Sequence, residues 1–263
     1  MAQDGFLGVG CLLASTISTP KLDMSHNNKK RQMRILVINP NTTIAVTDTI
    51  VAEARRSAPP QVEITGVTAR FGSPFIQTPD ESETARQAVL ELVSRLASGF
   101  DAVVIAAFSD PGLAEAREMS PVPVVGIAES AILTAMMCGG RFAIVTLGPA
   151  LRPLLEGAAV ALGCAGRLDA IHILDTGAGA DAGSTGETVT TVQRDRGEAL
   201  AALCGKAAGG EGVRSIILGG GPLAGLAHRI RVRVPVPLLD GTACAINHAA
   251  TLARLGLRMP EKA

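Results

Sequence analysis

The chain has 263 residues, 47% hydrophobic and 18% charged, enough apolar material for one or two domains with a buried core. Its 24 basic and 24 acidic residues cancel, and aromatic side chains make up only 2%, so the basic excess and stacking rings that a nucleic-acid partner needs are missing. No apolar run approaches the roughly 20 residues that span a bilayer, so no membrane partner is expected.

Residues 1–32 read as a disordered extension. The apolar stretch 6–14 resembles the centre of a signal peptide, but Asp4 stands where a positive segment is needed. Periodicity begins at Met33. Residues 34–39 (RILVIN) form a β-branched apolar run closed by Pro40, the pattern of a buried parallel strand. Asn41, Thr42 and Thr43 offer capping oxygens for a helix over 44–57. A strand is predicted at 61–67, a loop at 71–80 and an amphipathic helix at 81–98. Next come a strand at 101–107, a turn at 108–112, a short helix at 113–119 and a strand at 122–127, where Pro123 fits a sheet edge. A helix over 129–138 stops at Gly139 and Gly140.

The order then repeats. A strand at 141–146 is followed by a helix at 151–162, a strand at 169–174, a small-residue loop at 178–185 and a long helix at 187–208. A strand at 215–218, a glycine turn at 219–222, a short helix at 223–228, a strand at 234–239 and a helix at 243–255 complete the chain. Strands alternating with helices imply α/β architecture with parallel sheets. The segment 106–116 (AAFSDPGLAEA) parallels 218–227 (LGGGPLAGLA), as expected of an internal duplication. The expected fold is two pseudo-symmetric, Rossmann-like (flavodoxin-like) parallel-sheet domains facing across a cleft. The first takes 33–128 plus 237–263 and the second 129–236. Ligands of open parallel sheets bind beyond the carboxyl ends of the strands, which points to 39–42, 107–110, 146–147 and 219–222.

Asn39 and Asn41 serve equally as donors to a carboxylate or imide and as turn and helix caps. The glycines at 219, 221 and 225 miss the GxGxxG spacing, and no Walker pattern is present, so no nucleotide is expected. Of the lysines only Lys206 falls inside the folded body, which leaves no ready Schiff-base candidate. Any reaction is therefore expected to need no cofactor. The histidines (His26, His172, His228, His248) lack ligand spacing, so no metal is expected. Five cysteines (Cys11, Cys138, Cys164, Cys204, Cys244) without CxxC pairs read as free thiols of a cytoplasmic protein.

Six segments occur in order: ILVINPNT (35–42), IAAFSDPGL (105–113), VPVVGIAESA (122–131), RFAIVT (141–146), ILGGGPLAGLA (217–227) and VPLLDG (236–241). Together they resemble the hydantoin and allantoin racemases of the aspartate/glutamate racemase superfamily over most of 33–257. The resemblance implies a homo-oligomer and cofactor-independent isomerase chemistry, a proton removed and returned at a carbon next to a carbonyl. In that family one thiol stands on each face of the substrate. Here the two positions are held by Ala107 and Gly220, and neither carries a proton. Asp110 and Cys244 are the remaining catalytic candidates, with His248 a further residue that folding could bring near. Asp110 is equally a turn or capping residue, and Cys244 equally a small buried hydrophobe. The resemblance further implies a pocket for a small carboxylate- or ureide-like substrate lined by Asn39, Asn41, Thr42, Phe108, Ser109, Thr146, Gly221 and Pro222. Three functions follow: an isomerase with altered acid/base groups, a non-catalytic binding protein, or a lyase or decarboxylase that protonates from one face.

Overall fold

Strand β1 (Met33–Asn39) is the spine of the first sheet, with Ile35, Leu36, Val37 and Ile38 fully buried. The computed structural model describes residues 32–174 and 189–257; the extension, the loop at 178–185 and the first residues of the helix expected from 187 lie outside the described residues. Pro40 ends β1, and helix α1 (Ile44–Ser57) follows at the predicted bounds. Strand β2 (Val62–Thr68) pairs parallel to β1. Helix α2 (Pro79–Leu96) begins two residues before its predicted start. Its first turn is set by a capping box: the Glu81 N–H donates to Thr78 Oγ1 (3.2 Å) and the Thr78 N–H to Glu81 Oε2 (2.9 Å). Pro79 needs no N–H donor in the first turn.

Strand β3 (Ala102–Ile105), helix α3 (Leu113–Met119), strand β4 (Val124–Gly126) and helix α4 (Ile127–Met137) finish the first half. The second contains β5 (Arg141–Leu147), α5 (Arg152–Ala161), β6 (Leu168–Leu174), α6 (Val189–Ala207), β7 (Val213–Gly219), α7 (Leu226–Ile230), β8 (Leu238–Asp240) and α8 (Gly241–Arg254). The strand expected over 234–239 shrinks because Pro235 and Pro237 lack N–H donors and 231–233 turns as a 3-10 helix. The Pro237 carbonyl still accepts from Ile216 (2.9 Å).

Both sheets are four-stranded and wholly parallel, ordered β2-β1-β3-β4 and β6-β5-β7-β8. The order is identical under the exchange of β1–β4 for β5–β8, as the duplicated sequence requires. Strand β4 is an edge, as Pro123 suggested, but it begins one residue after that proline, whose carbonyl accepts from the Val103 N–H (2.9 Å).

The helices after the two edge strands trade sheets. Helix α4 leaves β4 and packs on β5, β7 and β8, and α8 leaves β8 and packs on β1, β3 and β4. The chain's return to the first sheet therefore falls between Asp240 and Gly241, after β8 has paired with β7. One hydrophobic core runs through both halves, joining Ile35, Ile50 and Val104 to Phe142, Ile144 and Ile217, and the described residues form a single compact unit.

Candidate active site

The carboxyl ends of β1, β3, β5 and β7, the inner strands of both sheets, open onto one cavity of about 150 Å³. The turn after β3 supplies Ala106, Ala107, Phe108 and Ser109, and the turn after β7 supplies Gly220, Gly221, Pro222 and Leu223. Asn41 enters from the start of α1, and Leu147, Gly148, Pro149 and Leu151 close the side below β5. Ala107 and Gly220 thus share a cavity.

Phe75, Ile76 and Gln77 complete the lining. They lie in the loop predicted at 71–80. The usable signal was an apolar pair beside Pro74, since such residues in a short polar loop must cover something. The loop is pinned to the site at several points. Thr42 donates its N–H to Ser73 O (3.1 Å), and the Thr43 hydroxyl donates to Pro74 O (2.8 Å). Glu81 accepts from the Gln77 N–H (2.7 Å) and from the Ser73 hydroxyl (2.9 Å). Partial burial pushes its carboxyl up, but the Gln77, Ser73 and Thr78 donors outweigh this and hold it below its ordinary value.

Asn39 is fully buried and does not line the cavity. Its Nδ2 donates to Asn41 Oδ1 (2.8 Å), Thr43 O (3.2 Å) and Thr47 Oγ1 (2.9 Å). Asn41 Oδ1 also accepts from the Thr43 N–H (2.9 Å). That backbone donor fixes which Asn41 atom is oxygen, so its amide nitrogen is the group left over. Thr42 and Thr146 lie outside the lining as well. The Thr146 hydroxyl donates to Gly219 O (2.9 Å), joining the ends of β5 and β7.

The glycine turn is held from behind. Buried Gln193 donates to the carbonyls of Pro222 and Ala224, both at 3.0 Å, and accepts from Arg229 (3.0 Å). Gly220 has φ 130° and ψ 133°, a conformation closed to residues with a Cβ. Phe108 crosses from the first half to lie on the backbone of Gly219, so closely that a Cβ at Gly219 would enter its ring.

Asp110 and Cys244 are not among the residues that line this cavity. Asp110 has φ 46°, and its carboxylate accepts from the N–H groups of Ala128 (3.0 Å) and Glu129 (2.7 Å) at the start of α4. Burial pushes its carboxyl up to about 7, against those two donors. Cys244 lines a separate cavity with Asp240, His228 and His248. Burial raises its thiol to about 11, so it is protonated at neutral pH, and burial lowers His248. Lys206 is exposed in the last turn of α6. No group of His, Cys, Asp and Glu able to hold a metal occurs among the described residues, and none of their helices is long and apolar enough to cross a membrane.

A pH dependence follows from the buried carboxyls. Asp110 is raised to about 7 and Asp240, through burial and the nearby Glu53, to about 6. Both sit above the unfolded-state value of about 3.9, so the folded chain binds these protons more tightly and their contribution to stability grows as pH falls from about 8 towards 5. The lowered His248 acts in the opposite sense below about 6.5. Comparison with Asp110→Asn isolates the aspartate: urea unfolding at pH 5 and pH 8 should show the parent gaining more, or losing less, on acidification than the variant. Equal pH responses would refute the assignment.

Every described residue that lines the cavity between the two sheets is uncharged at neutral pH, and none is an acid or a base. An amino dicarboxylate would find no cation among these described residues. A small neutral ring would find apolar walls and the amide of Asn41, with Gln77 and Ser109 as further polar groups.

The sequence pattern described as Asp/Glu/Hydantoin racemase matches residues 35–249. A hydantoin racemase of Pseudomonas sp. (strain NS671) is 32% identical over 85% of this chain and 87% of its own length. The crystal structure of an allantoin racemase from Pseudomonas fluorescens superposes with a TM-score of 0.76 at 34% identity, covering 87% of this chain and 94% of that one. An allantoin racemase from Klebsiella pneumoniae gives 0.73 at 36% identity, over 88% and 95%. With its matched segments, its paired parallel sheets and these relatives, the chain belongs to the Asp/Glu/hydantoin racemase family.

Proposed function

We propose that this protein binds a small uncharged cyclic ureide or imide of the hydantoin class between its two sheets, and that it does not invert the ligand through paired thiols. One observation carries the reading: Ala107 and Gly220 line a common cavity in which no described side chain is an acid or a base. Inversion requires a proton acceptor on one face of a carbon and a donor on the other. The ring class comes from the hydantoin and allantoin racemases among the relatives. It suits the apolar lining, with the Asn41 amide placed to donate to a ring carbonyl.

Calorimetric titration with hydantoin, allantoin and aspartate tests the ligand. Saturable binding of a neutral ring without binding of aspartate is expected, and the reverse pattern would refute the ligand class. Incubation of a single-enantiomer 5-substituted hydantoin in heavy water tests the chemistry. No deuterium should enter C5 beyond the buffer rate. Exchange with inversion would restore an isomerase that uses other groups, and exchange with retention would point to one-face proton transfer.

Asn41→Asp keeps the oxygen that accepts from Thr43 and Asn39 and replaces the free donor by an acceptor. It is expected to weaken ring binding about tenfold or more, since a lost hydrogen bond and an unpaired acceptor each cost on the order of 1 kcal/mol. Unchanged affinity in a folded variant would remove Asn41 from the site.

A further inference from the structure

The two turns that wall the cavity are tied down in the same way from different places in the sequence. In the first half the carboxylate belongs to the wall turn itself: Asp110 Oδ1 accepts from Ala128 and Oδ2 from Glu129, at the start of α4. In the second half the carboxylate belongs to Asp240, the last residue of β8 and the cap of α8. Asp240 Oδ1 accepts from Thr242 (2.9 Å) and Ala243 (3.2 Å), and Oδ2 accepts from Gly225 (2.7 Å) beyond the glycine turn.

The repeats correspond at Gly112 and Gly225, both left-handed caps of the short helices, and at β4 and β8, which hold the same place in the two strand orders. Ala128 and Glu129 then correspond to Thr242 and Ala243, so the helix-start donors of the two halves are equivalent. The carboxylates fill one equivalent place, but their attachment is exchanged. Gly126 corresponds to Asp240, and Asp110 to Leu223. Gly126 also shows why each half carries one carboxylate: a Cβ there would fall within the Asp110 side chain, and all of its nearest atoms belong to Asp110.

We infer that Asp110 and Asp240 are paired positioning residues, each clamping one wall of the cleft to the helix that crosses to the opposite sheet. Helix α4 packs on the second sheet and α8 on the first. A wall turn fastened to such a helix is held in register with the far side of the cleft, and together the clamps set how Ala107 faces Gly220. An ionised carboxylate makes short, strong hydrogen bonds with N–H groups and suits a helix start, and here these donors work against the burial that raises both groups.

Moving the carboxylate tests the inference. Asp110→Gly removes the clamp without opposing the positive φ at that position. Adding Gly126→Asp to that variant supplies the carboxylate in the manner of Asp240. The backbone at Gly126 (φ −102°, ψ 154°) already resembles that at Asp240 (φ −101°, ψ 125°). Amide hydrogen exchange on the full chain should run at least about tenfold faster over 106–112 and the first turn of α4 in the single variant, with β1 and β5 unchanged. The double variant should return to within about threefold of the parent. Parent-like exchange in the single variant, or a double variant no slower than the single, would overturn the clamp.

Hydantoin titration of the same samples links the clamp to the proposed function, on which that arm alone rests. Affinity should fall with the single variant and recover with the double. A parent that binds no hydantoin sinks the proposed function and leaves exchange to decide the clamp. Affinity that stays level while exchange changes would overturn the positioning role.

Discussion

Phe108→Ala is expected to lower the unfolding free energy by about 3–5 kcal/mol, the usual cost of removing a buried phenyl ring. Phe108 is 4% exposed, belongs to the core shared by both halves, and lies against Gly219 of β7 and near Gly241 at the start of α8. It extends from the end of the first sheet, so its loss opens a cavity at the seam between the halves and not within either one. The contact works in both directions. Gly219→Ala puts a methyl group where the ring stands and should cost about 1–3 kcal/mol by overpacking. In the Phe108→Ala background the same methyl meets empty space, and its penalty should fall by about 1 kcal/mol or more. Urea unfolding of the two single variants and the double variant measures this coupling. Additive losses would mean that the ring and the glycine do not share the space.

Thiols introduced at positions 107 and 220 should produce inversion of a 5-substituted hydantoin only when both are present. The double variant Ala107→Cys/Gly220→Cys is expected to exceed the parent and each single variant by roughly 10²-fold or more, the low end of a positioned acid/base contribution. Inversion by either single variant would contradict the two-face argument, and a folded double variant with no activity would remove Ala107 and Gly220 from opposite faces of the ligand. The two substitutions should not cost the same. Ala107 has an ordinary backbone, and a thiol there extends into the cavity it lines. Gly220 has space for a Cβ, its nearest neighbours lying 3.8–4.0 Å away, but its φ of 130° opposes any side chain. Gly220→Cys should therefore lose about 1–3 kcal/mol of stability through backbone strain. Gly220→Ala should lose a similar amount, which separates strain from sulfur chemistry.

Much of the architecture was legible along the chain. The β-branched runs at 34–39 and 141–146, each buried on both faces of a sheet, marked inner strands, and the segments 106–116 and 218–227 marked a repeat. The strand-end rule led to the turns that form the cavity. Local chemistry sufficed in these places, because a continuous apolar run or a proline constrains its own neighbourhood whatever it later meets. It failed where roles depend on distant partners. Asn39 and Asn41 were indistinguishable as amides, and only the hydrogen bonds from Thr43 and to Thr47 separate the buried strut from the residue that lines the cavity. Phe75 and Ile76 became site residues because α1 holds their loop over the cleft.

By itself the sequence determined the alternation of strands and helices, the duplication and the lack of a titratable side chain at Ala107 and Gly220, all properties of neighbouring residues and of residue type. Only the tertiary structure decided that α4 and α8 exchange sheets, that Asp110 caps a helix outside the cavity, and that Gly220 adopts a backbone no thiol-bearing residue would favour. Those outcomes arise from contacts between residues far apart in the chain, where packing and burial, and not local preference, set the free energy.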